Sequence, residues 1–270
     1  MTLVCYLAEG LALLGYLVAA VLYPQRLLRP ESRSTRYARW GLILGAGLQG
    51  IGLLAHAGRA GGQVILGEYA NVSFLFVLMI VAALLVLEAR TDRPALGAFL
   101  APVVFLLVLL TMFEGRVELP PIVNPWFISH IVLTLLAYVC FGAAFCMAMA
   151  YLVVDLLLKR KRLERVRLLP PLHVADRTAH VAVAVGFPIF TLGLGVGAAF
   201  FMARQLQLDI KMILSLVTWA VYAVYLFVHD GPGWRGRRLH LLLVLGFVLV
   251  LVNYTAARHH FKLVDLVAGA

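Results

Sequence analysis

The chain has 270 residues, of which 63% are hydrophobic and only 13% charged, with a formal net charge of +10. A soluble domain carries roughly 25% charged residues, so this composition excludes an ordinary soluble enzyme or binding module and makes lipid the solvent for most of the chain. The arginines sit in short loops between apolar runs, which reads as charge asymmetry across a membrane and excludes nucleic acid as a partner.

The first apolar run, 3–23, has no Lys or Arg ahead of it and is interrupted by Glu9. A signal peptide needs a positive leader and a short apolar core, so this run is expected to be a permanent span. Seven more follow at 41–60, 69–89, 95–113, 127–157, 177–203, 210–229 and 239–258. Each approaches or exceeds the roughly 20 residues that cross a bilayer at about 1.5 Å per residue. The fifth and sixth are long enough to tilt or project. The expected fold is therefore an all-α membrane protein, with eight transmembrane helices forming a bundle and one integral membrane domain over 1–270. The loops after spans 1, 3, 5 and 7 hold seventeen Lys and Arg against six on the other side. That imbalance places the basic loops in the cytoplasm and both termini outside, in the periplasm. The proline-rich loop 114–126 then lies outside, either as a cover over an outer cavity or as a simple connector.

Three cysteines, Cys5, Cys140 and Cys146, form no C-x-x-C pair and no haem-attachment motif, and read as small apolar side chains. Gly193, Gly195 and Gly197 follow no strand, which rules out a dinucleotide fingerprint and suits close helix packing. Glu88 and Asp155 lie near the inner ends of spans, where arginines are available to meet them.

Four histidines lie within spans or at their rims. By helical rise, His56 falls in the outer third of span 2 and His130 in the first outer turn of span 5. His180 is near the inner start of span 6 and His229 at the inner end of span 7. Two imidazoles thus lie toward each face, on separate helices. Facing imidazoles are the usual way to hold a six-coordinate haem iron. Zinc wants a third or fourth ligand, and the spacing places none beside either pair. Haem propionates want arginine at the membrane rim. Arg59 and Arg177 each lie one turn from a histidine, and Arg235 lies just beyond His229. Taken singly, each histidine reads equally as a ligand or as an interhelical hydrogen-bonding group.

Longer stretches carry a resemblance. "WFISHIVLTLLAYVCFGAAFCMAMAYLV", "LPPLHVADRTAHVAVAVGFPIFTLGLGVG" and "DIKMILSLVTWAVYAVYLFVHDGPGWRGRR" occur in that order, after "LLAHAGRAGGQVILGEYANVSFL". The set resembles the cytochrome c assembly family of CcsA/HemX type, and its length is similar to the short eight-helix HemX- and YpjD-like branch. The resemblance implies a multi-pass protein of the bacterial inner membrane that handles or transfers haem b, at one or two sites. Depth and resemblance together point to His56, His130, His180 and His229 as axial ligands, and rim position points to Arg59, Arg177 and Arg235 toward the propionates. Lipid and proteins of cytochrome c maturation or haem synthesis are the implied partners. His229 stands two residues beyond the family's "YLH" position, which here is Phe227. The larger synthases carry a tryptophan-rich outer motif where this chain has "FFMARQLQLDIKM", with Asp209 and Lys211 but no tryptophan. Covalent ligation is accordingly not expected, and the protein is not expected to be an enzyme. Depth pairs His56 with His130 and His180 with His229, whereas the synthase pattern would pair His56 with His229; the depth pairing is preferred. Two rivals stand beside this reading. One is a HemX-like regulator of a tetrapyrrole-synthesis enzyme that docks through the basic loop 159–167. The other is a scaffold whose histidines only pack.

Overall fold

The computed structural model describes residues 2–29, 34–57, 69–114, 125–203, 210–231 and 236–255. Among them the chain is all-helical: α1 Thr2–Leu28, α2 Ser34–Ala57, α3 Tyr69–Thr91, α4 Gly97–Glu114, α5 Pro125–Lys159, a single turn α6 Leu163–Val166, α7 Leu172–Ala203, α8 Ile210–Asp230 and α9 Arg237–Thr255. Seven of these helices are long and apolar enough to cross a membrane, and an eighth apolar helix, Gly97–Phe113, is shorter. The protein is a multi-pass membrane protein.

Two helices, α2 and α7, begin well before their apolar runs. α2 starts at Ser34 and takes Arg36 and Arg39 into its first turns, because arginine favours helix and its head can reach the interface while its stem stays apolar. α7 starts at Leu172, directly after Pro170 and Pro171. The Pro171 carbonyl accepts hydrogen bonds from the N–H groups of Val174 and Ala175, both at 3.0 Å, so the proline that cannot continue a helix backwards opens this one. Asp176 is thereby drawn into a helical turn.

Serine and threonine hydroxyls cannot stay unpaired in lipid. Thr91, Thr111, Ser129, Thr134, Thr191, Ser215, Thr218 and Thr255 each donate to the carbonyl four residues back, at 2.7–2.9 Å.

The chain falls into two compact units. The first comprises 1–119 and 149–175. Here α1 packs on α2 and α4, and α3 on α2 and α4. Glycines bring α1 and α2 together: a Cβ on Gly15 would meet the Gly41 carbonyl oxygen at 2.7 Å. Polar ties fix the register. The Tyr16 hydroxyl donates to Gln49 Oε1, and Gln49 Nε2 donates to the Phe74 carbonyl at 3.3 Å. The Tyr23 hydroxyl donates to Glu88 Oε2 at 3.3 Å, and Arg39 Nε stands 3.9 Å from the same oxygen. Glu88 thus meets an arginine, while Asp155 takes Lys159, four residues on, at 2.7 Å.

The second unit comprises 120–148 and 176–270. Its core is aromatic. Phe141 stacks on Tyr222 with ring centroids 3.7 Å apart and meets Phe190 edge-on at 5.6 Å. Buried Asn253 of α9 donates through Nδ2 to Tyr138 Oη at 3.1 Å and to Ser215 Oγ at 2.9 Å, tying α5, α8 and α9. Neither Cys140 nor Cys146 is joined in a disulfide.

Candidate functional site

Three helix ends of the second unit converge on one cluster. α7 contributes Asp176 and His180, which lie four residues apart on one face. α8 ends with His229 and Asp230, and α9 begins with His240 in its first turn. An imidazole in the last turn of α8 and a carboxylate early in α7 both suit the partial charges of those helix ends. The His180 and His229 rings lie face to face, centroids 3.8 Å apart and planes 12° from parallel. Asp230 Oδ1 lies 3.0 Å from His229 Nδ1 and 3.6 Å from His180 Nε2. Asp176 lies on the other side of His229. Its Oδ2 stands 4.0 Å from His229 Nε2 and its Oδ1 3.4 Å from His240 Nε2. The Nδ1–H of His240 donates to the Gly236 carbonyl at 2.9 Å. His240 is buried, His180 and His229 are half-buried, and Asp230 is exposed.

The sequence expectation brings His180 and His229 together, and the structure does so as well, but in a geometry that does not fit two axial ligands of one haem. Such ligands aim their nitrogens at each other from opposite sides of the porphyrin plane. Rings stacked face to face aim them elsewhere and leave no thickness for a macrocycle between them. Asp230, Asp176 and His240 were the donors missing from the sequence reading. The signal for Asp176 was its spacing of four from His180, and Asp230 is the very neighbour of His229.

His130 is held differently. Its Nδ1 lies 2.7 Å from the Gly193 carbonyl oxygen on α7. A carbonyl only accepts, so Nδ1 carries the proton and donates, and Nε2 keeps its lone pair. This is the tautomer a haem ligand requires, fixed in advance by a partner behind the ring. The close approach depends on glycine: a Cβ on Gly197 would lie 2.6 Å from His130 Nδ1. Gly193 similarly faces Thr134, whereas a Cβ on Gly195 would meet nothing within 4 Å. Phe127, one turn before His130, lies with its ring 6.3 Å away at 26°.

The remaining expected residues are His56, Arg59, Arg177 and Arg235. His56 lies on α2 in the first unit, and its side chain lies outside the described residues. Arg59 and Arg235 also lie outside them. Arg177 is exposed on α7, three residues before His180. Phe227, at the family's "YLH" position, is 83% exposed, because two residues along a helix turn a side chain by about 200°; His229 is the position that reaches the cluster.

Comparison with known proteins completes the picture. The sequence pattern of the family described as cytochrome c assembly protein matches residues 65–263. The inner membrane protein YpjD of Escherichia coli K12 is 29% identical over 258 residues, covering 92% of this chain and 95% of that protein. The cytochrome c biogenesis protein CcsA of Guillardia theta is 24% identical over 212 residues, 69% of this chain and 70% of that protein. CcsA of Mesostigma viride is 33% identical over 82 residues, 29% of this chain and 27% of that protein. No solved structure matches.

Proposed function

Because the chain belongs to the cytochrome c assembly protein family, we propose that it is a haem-handling protein of the bacterial inner membrane that supports cytochrome c biogenesis without covalent ligation of its own. The carrying observation is His130. Its Nδ1 is committed to the Gly193 carbonyl at 2.7 Å, which leaves Nε2 as the ligating atom. A half-buried imidazole with its tautomer fixed by a backbone acceptor is the form in which proteins present histidine to iron. The likeness to YpjD over nearly its full length supports the inner-membrane assignment, and the likeness to CcsA proteins supports the link to cytochrome c biogenesis. In this reading all eight apolar helices cross the bilayer, with both termini on the periplasmic side. His130 is then at the outer face, where haem would be passed on. The absence of tryptophan between α7 and α8 supports transfer or storage over attachment.

The test is the absorption spectrum of the detergent-purified protein before and after adding haem. Wild type is expected to show a Soret band that His130→Ala weakens, while the variant elutes from gel filtration as wild type does. His56→Ala reads out the second ligand assigned from sequence depth. Protein that is colourless and takes up no added haem would overturn the proposal.

A further inference from the structure

The stacked histidines that do not fit a haem pair carry a different donor set. His180, His229 and Asp230 each offer a ligand atom, and these atoms all lie within 4.8 Å of one another. In a tetrahedral site with bonds of about 2.0–2.1 Å, ligand atoms stand roughly 3.3 Å apart. The two edges from Asp230 Oδ1, 3.0 Å to His229 Nδ1 and 3.6 Å to His180 Nε2, bracket that value. The third edge closes when the stacked rings fan apart. No hydrogen bond among the described residues holds the buried His180 Nδ1.

Behind the trio stands its support. When His229 ligates through Nδ1, its Nε2–H points to the Asp176 carboxylate, 4.0 Å away. Asp176 is in turn faced by His240 Nε2 at 3.4 Å. A carboxylate behind a ligating imidazole is the usual outer shell of a protein metal site, orienting the ring and raising its basicity. Charge agrees: neutral imidazoles and two carboxylates leave a deficit of two, which a divalent ion fills. Two nitrogen donors disfavour Ca²⁺ and Mg²⁺ and favour first-row transition metals. Asp230 is 64% exposed at its side chain, so the ion would keep an open position toward solvent, as exchangeable sites do.

We propose that His180, His229 and Asp230 bind one divalent transition-metal ion, with Asp176 as the positioning carboxylate behind His229. This stands apart from the haem assignment of His130 and does not depend on it.

The test uses full-length, tag-free protein in detergent, treated with chelator and titrated with Co²⁺, followed by competition with Zn²⁺. Wild type is expected to bind one equivalent of Co²⁺ with the intense visible bands of a low-symmetry, near-tetrahedral ion, and to lose them to Zn²⁺. Asp230→Asn, a change at an exposed side chain that leaves folding intact, is expected to weaken Co²⁺ at least about 100-fold. Asp176→Asn is expected to keep the stoichiometry and weaken binding about 10- to 100-fold, the usual effect of losing an outer-shell partner. His130→Ala is expected to bind Co²⁺ as wild type does. The proposal falls if wild type takes up no stoichiometric Co²⁺, or if Asp230→Asn binds it unchanged. It falls equally if His180→Ala abolishes a haem Soret band while leaving Co²⁺ uptake intact.

Discussion

Replacing Gly197 with alanine puts the haem reading of His130 at risk through a single methyl group. The new Cβ would lie 2.6 Å from His130 Nδ1 and 2.7 Å from its Cε1. Non-bonded heavy atoms rest at about 3.5 Å or more, so the ring must retreat by roughly 0.9 Å. The same Nδ1 donates to Gly193 on the same helix at 2.7 Å. Moving away from α7 stretches that bond beyond the range of a good hydrogen bond. A lost hydrogen bond is worth about 0.5–1.5 kcal/mol, and losing the partner behind a ligating histidine lowers affinity about 10- to 100-fold. The expected outcome is a tenfold or greater rise in the Kd for haem, about 1.4 kcal/mol or more, measured by titrating haem into purified protein and following the Soret band. Gly195→Ala is the matched control, because a Cβ there meets nothing within 4 Å. If Gly197→Ala and Gly195→Ala bind haem alike, the Gly193 contact does not set up His130, and the argument from its tautomer fails.

Two further outcomes concern the scaffold. Asn253→Ala removes both donations, to Tyr138 and to Ser215; at about 0.6 kcal/mol per interhelical bond, with a ceiling near 1.7, it should lower stability by about 1–2 kcal/mol in mixed-micelle unfolding, and an unchanged midpoint would refute the role given to it. Glu88→Ala deprives Tyr23 of its acceptor and leaves Arg39 without a carboxylate. It should cost about 1–3 kcal/mol, with Glu88→Gln costing less; equal losses would make the charge, and not the hydrogen bond, the determinant.

What the sequence could disclose follows from the solvent. Lipid demands that each crossing satisfy its own backbone, so apolar runs of span length announce helices, and the core of every expected span lies in one of the helices described. Their ends were less legible. Arg36 and Arg39 read as loop, yet they are the opening turns of α2, because a charged residue at the interface need not interrupt a helix. The azimuth of each helix was legible only where spacing revealed it. Gly193 and Gly197, four apart, face α5, while Gly195 between them faces away. Which ends meet is a matter of tertiary packing. Nothing in hydropathy told that the start of α9 would bring His240 to Asp176, and so the sequence discloses the pair His180 and His229 without the carboxylates and the third imidazole around it.

One consequence concerns α9. In lipid, apolar side chains gain little by choosing protein over tails, so a helix of leucine and valine is free to roll or slip unless something polar locates it. α9 is located twice, by His240 against Asp176 and by Asn253 against Tyr138 and Ser215. Thirteen residues separate these pins, about 20 Å of rise, and they emerge roughly 140° apart around the axis. A rod held at two heights and on two sides can neither slide nor turn without breaking both. α9 is therefore the fixed post of the second unit, tied at one end to α7 and at the other to α5 and α8.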